Sequence, residues 1–330
     1  MDFRLTSDQL GLQQATSEVC ARFGPPDPDA DAPAMGRTWW RALDDLDVFS
    51  LLVPDAQQGM GLGAVETALV LEQLGRFLAP GPVAETVVSA EHLVGHLVGQ
   101  PPAGGTDTGT VVVTLLPSGP APLVVENLDV ADLVAVDRDD VLSFVRPGRV
   151  PVLRIAAPLD PRNPVTAVGT PDLEAPVLVL DGAARLRWLR YYAVAVAAQQ
   201  VGISRAVLEQ SVTYVGQRQQ FGRPVGGFQS VKHLAADMLV RSEVAWSAVL
   251  VAAATLDGET TSEPGAERAV AVAKMLADRA ATRNARDAHQ LHGGMGYAWE
   301  TGLHLYLKRS WALATTPRPT EGYVARLVES

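Results

Sequence analysis

Two stretches in the second half of the chain combine an arginine, an aromatic ring and glycines in a way that suits phosphate binding. One runs from Arg218 through Phe221 to Gln229, and the other runs from Gln290 to Tyr297. Each has the pattern of a helix, a turn with glycine, and a second helix. A guanidinium before such a turn offers paired donors to a phosphate, and the next helix N-terminus adds free N–H groups. The pattern therefore favours a pyrophosphate site.

The other residues of the two stretches are consistent with that site but also have plain structural interpretations. Gly293 and Gly294 let the backbone approach the same phosphates without an intervening side chain. Phe221 has a flat apolar ring that could pack on an adenine or a ribose. Alternatively, Arg218 is a surface helix residue, Phe221 anchors the core, and the glycines, Gly222 included, end helices. The residues alone leave both interpretations open.

Composition excludes several classes of protein. The chain has 330 residues, of which 47% are hydrophobic and 19% charged, with a net charge of −10. This composition excludes wholesale disorder and argues against nucleic-acid or anionic-membrane binding as a general role. Cys20 is the only cysteine, which excludes an intrachain disulfide and a thiolate metal cluster. No His, Asp or Glu grouping has metal spacing, and no leader pattern is present, so we expect a cytoplasmic, metal-free protein.

The hydrophobic patterning divides the chain into three parts. Helical patterns, the first opened by a capping box from Thr6 to Gln9, predict an N-terminal helical domain over 1–107. Short β-branched runs separated by Pro, Gly and Asp predict a small antiparallel barrel or sandwich over 108–182. Long Ala/Val/Leu-rich segments predict a four-helix bundle over 183–330. The predicted fold class is mainly α with a small central β domain.

Together, the two motifs closely resemble those of the acyl-CoA dehydrogenase family. Leu51–Pro54, Gly59–Gly61 and Glu72–Arg76 also resemble that family's N-terminal helical domain, so the resemblance covers nearly the whole chain. It implies FAD-dependent α,β-dehydrogenation of an acyl-CoA thioester. It also implies six contacts to an FAD whose flavin half lies in the neighbouring subunit: Arg218, Phe221, Gln229, Gln290, Gly293 and Gly294.

The base for this reaction is not evident in the sequence. Removing the α-proton normally needs a carboxylate, and the family places that glutamate at one of two positions. Gap-free counts from the motifs reach Tyr192 and Pro317 at those positions. Glu321-Gly322, four residues after Pro317, repeats the Glu-Gly pairing of the second position. Glu321 is therefore either the base after a short insertion or part of a frayed polar terminus, and the catalytic residue stays unknown.

The β domain departs further from the family pattern. Its start, Val113–Pro120, lacks the family's Gly-Ser-rich flavin loop, and no tryptophan lies between Trp40 and Trp188. These departures resemble the short subunit of actinobacterial heterotetrameric acyl-CoA dehydrogenases that act on sterol side-chain thioesters. That resemblance implies an α2β2 assembly, in which this chain completes the FAD site of a full-length catalytic partner. The alternatives are a self-sufficient homo-oligomeric enzyme that uses Glu321 and a structural subunit without cofactor contacts.

Overall fold

The protein was analysed as a computed structural model, which describes residues 4–24, 26–27, 37–94, 110–117, 123–258 and 264–329. Within those ranges the N-terminal part is helical. Its four helices are α1 (Ser7–Ala21), α2 (Arg37–Asp44), α3 (Ala64–Arg76) and α4 (Val83–Leu93). The predicted capping box at the start of α1 is confirmed: Gln9 N–H donates to Thr6 Oγ1 at 3.2 Å, and Thr6 N–H donates to Gln9 Oε1 at 2.9 Å.

Seven strands form two small sheets in the central part of the described chain. They are β1 (Val113–Leu116), β2 (Leu123–Glu126), β3 (Leu133–Arg138), β4 (Val141–Val145), β5 (Val152–Ala156), β6 (Val165–Val168) and β7 (Leu178–Leu180). The sheet orders are β1-β3-β4-β7 and β2-β6-β5. Sequence patterning missed β6. The expectation of an antiparallel arrangement is wrong for one pair, because β1 runs parallel to β3. The segment between these two strands includes β2 of the other sheet, so the connection needs no helix.

The C-terminal part is a bundle of long helices. They are α5 (Gly182–Gln217), α6 (Gln229–Leu256), α7 (Pro264–His292), α8 (Leu303–Ala314) and α9 (Thr320–Glu329). Two-residue strands β8 (Gln219–Gln220) and β9 (Arg223–Pro224) form a hairpin between α5 and α6. By length and composition α6 could cross a membrane, but it packs against α5 and α7 as a bundle helix. The predicted domain limits at 182/183 and 107/108 stay predictions, and the second lies outside the described residues.

Glycines bring the N-terminal helices close to the bundle. A Cβ added to Gly75 of α3 would lie 2.1 Å from the Gln199 carbonyl oxygen of α5. In the same way, a Cβ on Gly202 of α5 would lie 2.0 Å from the Glu72 carbonyl oxygen. Because each helix presents a glycine to the other helix's backbone, α3 and α5 cross with almost no side chain between them. This crossing holds the N-terminal domain on the bundle that carries the two motifs.

A second link joins α3 to the end of α6. Asp257 accepts hydrogen bonds from the backbone N–H groups of Ala64, at 2.6 Å, and Val65, at 3.0 Å. The carboxylate thereby caps the N-terminus of α3 from another domain. A Cβ on Gly63 would lie 2.6 Å from that carboxylate, which explains why a glycine precedes the helix.

Two sequence expectations about helix ends are wrong. The amphipathic pattern from Trp39 to Leu52 predicts a single helix, but α2 ends at Asp44, and Asp47 then adopts a left-handed conformation with φ 56°. The C-terminal segment is not frayed, because α9 continues the bundle and buries Tyr323. Thr320 Oγ1 donates to Asp278 of α7 at 2.8 Å, which fixes the start of α9.

Candidate functional site

The hairpin after α5 holds an aromatic ring in solvent. Phe221 and Gly222, its two central residues, both have positive φ values of 52° and 76°. Positive φ at both central residues defines a type I′ turn, whose twist matches that of a two-stranded hairpin. A phenylalanine in the left-handed region costs roughly 1–2 kcal/mol. The Phe221 side chain is nevertheless 91% exposed, so the fold keeps a strained residue whose ring is not used in the core. The interpretation of Phe221 as a core anchor is wrong.

The N-terminus of α6 faces the same region. This helix begins at Gln229, and no described side chain caps it or places a carboxylate in its first turn. The free N–H groups of a helix start carry a partial positive charge that attracts anions. Phe228 precedes the helix and lies under the Arg223 guanidinium, 4.0 Å from the ring centroid.

A cavity of about 700 Å³ lies between the hairpin, the start of α6 and the glycine turn. Four of the six predicted cofactor residues line it: Arg218, Gln290, Gly293 and Gly294. Of the other two predicted residues, Gln229 is exposed and adjoins Ser230 of the lining, and Phe221 is at the hairpin tip. The fold thus brings the two sequence motifs together, although Gln229 and Gln290 are 61 positions apart in the chain.

The glycine turn leaves its backbone bare where it meets this cavity. Gly293 follows α7 with φ 57°, a conformation that favours glycine. Gly296 is required by packing, since a Cβ there would lie 2.6 Å from the His289 carbonyl oxygen. Gly294 has neither a positive φ nor a neighbour within 4 Å of an added Cβ. Nothing in the described fold requires a glycine at this position, which fits close approach by a ligand.

One wall of the cavity is aromatic and neutral. Tyr214 stacks on His292 with ring centroids 4.3 Å apart. His292 Nδ1 lies 2.8 Å from the Ala288 carbonyl oxygen, so this nitrogen carries the proton and donates it. Burial lowers the pKa of His292, and the nearby His289 lowers it further. Sequence reasoning missed both Tyr214 and His292, although His292 directly precedes the paired glycines.

The cavity fits the phosphate half of FAD. Arg218 is exposed and has no ion pair with any residue that the structure describes, so its donors are available to an anion. The α6 N-terminus and the bare Gly294 backbone add uncharged donors beside it. The described residues contain no group of three His, Cys, Asp or Glu side chains that could hold a metal.

The first possible base position contains a buried phenol that contacts an acid. Tyr192 is 1% exposed, and its hydroxyl donates to Glu85 Oε1 of α4 at 2.6 Å. Burial raises the pKa of Glu85 to about 7, against the opposing effects of the Tyr192 hydrogen bond and the Arg309 charge. Burial also raises the pKa of Tyr192 well above its usual range. Sequence reasoning missed Glu85, whose only signal was a carboxylate among the apolar residues that open α4.

The second possible base position is on the surface. Glu321 is exposed in the first turn of α9, and it does not line the cavity with Arg218. The preceding residue, Thr320, is hydrogen-bonded to Asp278 of α7. Asp278 forms a buried ion pair with Lys274 of the same helix, with Lys274 Nζ 2.7 Å from Asp278 Oδ2. The same Lys274 Nζ donates to the Leu313 carbonyl oxygen at 3.1 Å.

The fold, the paired motifs and the phosphate-type cavity define an acyl-CoA dehydrogenase, and this chain belongs to that family. The acyl-CoA dehydrogenase N-terminal domain matches residues 6–98, and the C-terminal domain matches residues 183–321. The acyl-CoA dehydrogenase IpdE2 of Mycobacterium tuberculosis is 28% identical over 312 residues, which span 91% of this chain and 89% of the relative. IpdE2 of Mycolicibacterium smegmatis is 30% identical, over 87% of this chain and 86% of the relative.

Solved structures share the whole fold. The structure named Tcur3481-Tcur3483 steroid ACAD G363A variant is 24% identical, with a TM-score of 0.77, over 98% of this chain and 97% of that chain. A chain of the ChsE4-ChsE5 complex from Mycobacterium tuberculosis is 20% identical, with a TM-score of 0.76, over 100% and 98% of the two chains. The prediction of an acyl-CoA dehydrogenase fold is confirmed, and the chain is classed as an oxidoreductase of this family.

Proposed function

We propose that this chain is a subunit of a heteromeric FAD-dependent acyl-CoA dehydrogenase and completes the FAD site of a catalytic partner subunit. The observation that carries the proposal is the cavity at Arg218, which presents phosphate-type donors at an exposed end of the bundle. Neither family position for a base holds a carboxylate in a cavity with those donors. The chain shares its fold with the ChsE4-ChsE5 complex, and this likeness of fold is a further support.

In this proposal the residues of this chain bind and orient the cofactor. When bound, FAD supplies the acceptor for the hydride that leaves the acyl chain. Arg218 donates to the pyrophosphate, and the first turn of α6, at Ser230 and Val231, adds N–H donors to it. Gly294 leaves room for close approach, and the exposed Phe221 ring packs on the adenosine half. The partner subunit supplies the flavin loop and the base that removes the α-proton.

Two alternatives make different predictions. A self-sufficient homo-oligomer would use Glu321 as its base, in which case Glu321→Gln abolishes turnover while flavin stays bound. A structural subunit would not touch the cofactor, in which case Arg218→Ala leaves flavin content unchanged. The substrate, a sterol side-chain thioester of CoA, the α2β2 stoichiometry and a cytoplasmic location are parts of the proposal. One structural neighbour is a steroid ACAD, which supports the substrate class.

The test measures flavin retention in the complex. We would co-purify this chain with a full-length acyl-CoA dehydrogenase from the same organism, as wild type, Arg218→Ala and Arg279→Ala. Arg279 is an exposed arginine of α7 that does not line the cavity, so it provides a matched control. We expect Arg218→Ala to lose most of its FAD on gel filtration while subunit stoichiometry and the Arg279→Ala complex stay unchanged. Equal flavin content in all three complexes would contradict the proposal.

A further inference from the structure

Strand β5 is an exposed apolar edge of the three-stranded sheet. It pairs with β6 and with no other strand in the described part of the chain. All residues from Pro151 to Ile155 are exposed, and the exposed fractions of Leu153 and Ile155 are 62% and 84%. Leu159, just after the strand, is 48% exposed. Apolar side chains at an open sheet edge are unusual, because natural proteins normally cover or charge such edges.

The strand itself is basic in a chain whose net charge is −10. It carries Arg154 and no acidic residue, whereas Asp139, Asp140 and Asp160 flank the segment around it. Arg149 forms an ion pair with Asp172. The side chain of Arg154, in the middle of β5, is exposed and has no hydrogen bond or ion pair with a described residue. An extended segment that carried a carboxylate would complement Arg154.

The geometry of the strand limits the length of what can dock there. A bulge shifts the register between Val152 and Arg154, so regular pairing with β6 covers Arg154, Ile155 and Ala156. So short an edge gives few backbone hydrogen bonds, and burial of Leu153 and Ile155 must supply part of the affinity. Backbone pairing, an apolar contact and one charge pair together describe strand addition to a sheet.

We propose that the outer edge of β5 is a docking site for an extended, acidic segment of another polypeptide, which adds to the sheet as a strand and places a carboxylate beside Arg154. This inference does not depend on the cofactor cavity or on the identity of the catalytic partner. The proposed surface belongs to the β domain. The two cofactor motifs, in contrast, are on the helical bundle.

The test uses designed peptides as probes of strand addition. A fluorescein-labelled eight-residue peptide of alternating valine and threonine, with two central glutamates, is titrated with the full chain by fluorescence anisotropy. A second peptide has lysines in place of the glutamates, and a third is the glutamate peptide with N-methylated amides along one edge. We expect the glutamate peptide to bind roughly 2- to 10-fold more tightly than the lysine peptide, as one exposed charge pair allows. N-methylation should abolish binding.

Variants then locate the site. Arg154→Glu should reverse the preference between the glutamate and lysine peptides, and Ile155→Lys should weaken both. Val240→Lys, at an exposed apolar position of α6, is the matched control and should bind as wild type. Circular dichroism confirms that each variant is folded, which is expected because these side chains are exposed.

Several outcomes would overturn the inference. They are the absence of binding by every peptide, equal binding of the two charged peptides, or binding that survives N-methylation. If no peptide binds, the role of Arg154 is to prevent this exposed edge from pairing with other chains and aggregating. Sedimentation velocity tests whether a second copy of this chain covers the strand instead. If the chain alone self-associates and Ile155→Lys makes it monomeric, a second copy covers the strand and the proposal is wrong.

Discussion

The buried contact between Glu85 and Tyr192 predicts a specific pH dependence of stability. Burial raises the pKa of Glu85 from its ordinary 4.5 to about 7 in the folded protein. Between these values the unfolded chain loses this proton while the folded chain keeps it, so stability falls as pH rises from about 4.5 to about 7. A shift of this size corresponds to a loss of about 3 kcal/mol in the free energy of unfolding, fully developed above pH 7. Glu85→Gln removes the titrating group and this loss.

The measurement is urea unfolding at several pH values between 4.5 and 8.5, for wild type, Glu85→Gln and Tyr192→Phe. We expect the difference in unfolding free energy between Glu85→Gln and wild type to grow by about 3 kcal/mol across this range, in favour of the variant. Tyr192→Phe keeps the carboxyl but removes the hydrogen bond that lowers its pKa, so its pH dependence should persist and move to higher pH. Parallel pH profiles for wild type and Glu85→Gln would refute the reasoning.

Three further predictions concern named contacts. Gly75→Ala places a methyl group 2.1 Å from the Gln199 carbonyl oxygen, so thermal or urea unfolding should show a loss of about 1–3 kcal/mol; an unchanged midpoint would contradict the close crossing. Asp257→Ala removes the cap of α3 and should cost about 1 kcal/mol in the same assay, with a smaller effect at pH 7 than at pH 3 because burial raises the pKa of Asp257; no loss at either pH would argue against the cap. Phe221→Gly relieves a left-handed phenylalanine and should stabilise the isolated chain by about 1 kcal/mol while weakening FAD retention in the complex; a destabilised chain would show that the exposed ring supports the fold.

Local patterns in the sequence predicted local structure well. The capping box at Thr6, the helix of α3 and the long bundle helices follow from side chains a few residues apart. Periodicity also predicted most strands of the β domain. It could not predict that β1 pairs parallel with β3, because strand pairing depends on how the two sheets pack rather than on either strand.

Contacts between distant parts of the chain could not be predicted from the sequence. The glycine before α3 has its explanation in Asp257, a residue 193 positions away from Ala64. In the same way, the partner of Tyr192 lies 107 positions away, at Glu85. The site itself was partly predictable, since four of the six predicted cofactor residues line the cavity, whereas Tyr214 reaches it only because α5 and α7 pack side by side.

The central claim is that the flavin site is shared between this chain and a catalytic partner. The most direct test measures FAD content and mass, by absorbance and light scattering, for this chain expressed alone and with a full-length acyl-CoA dehydrogenase from the same organism. Our account predicts a colourless chain alone and a complex with one FAD per heterodimer. A yellow homo-oligomer of this chain with one FAD per chain would contradict it, and Glu321 would then be the first base to test.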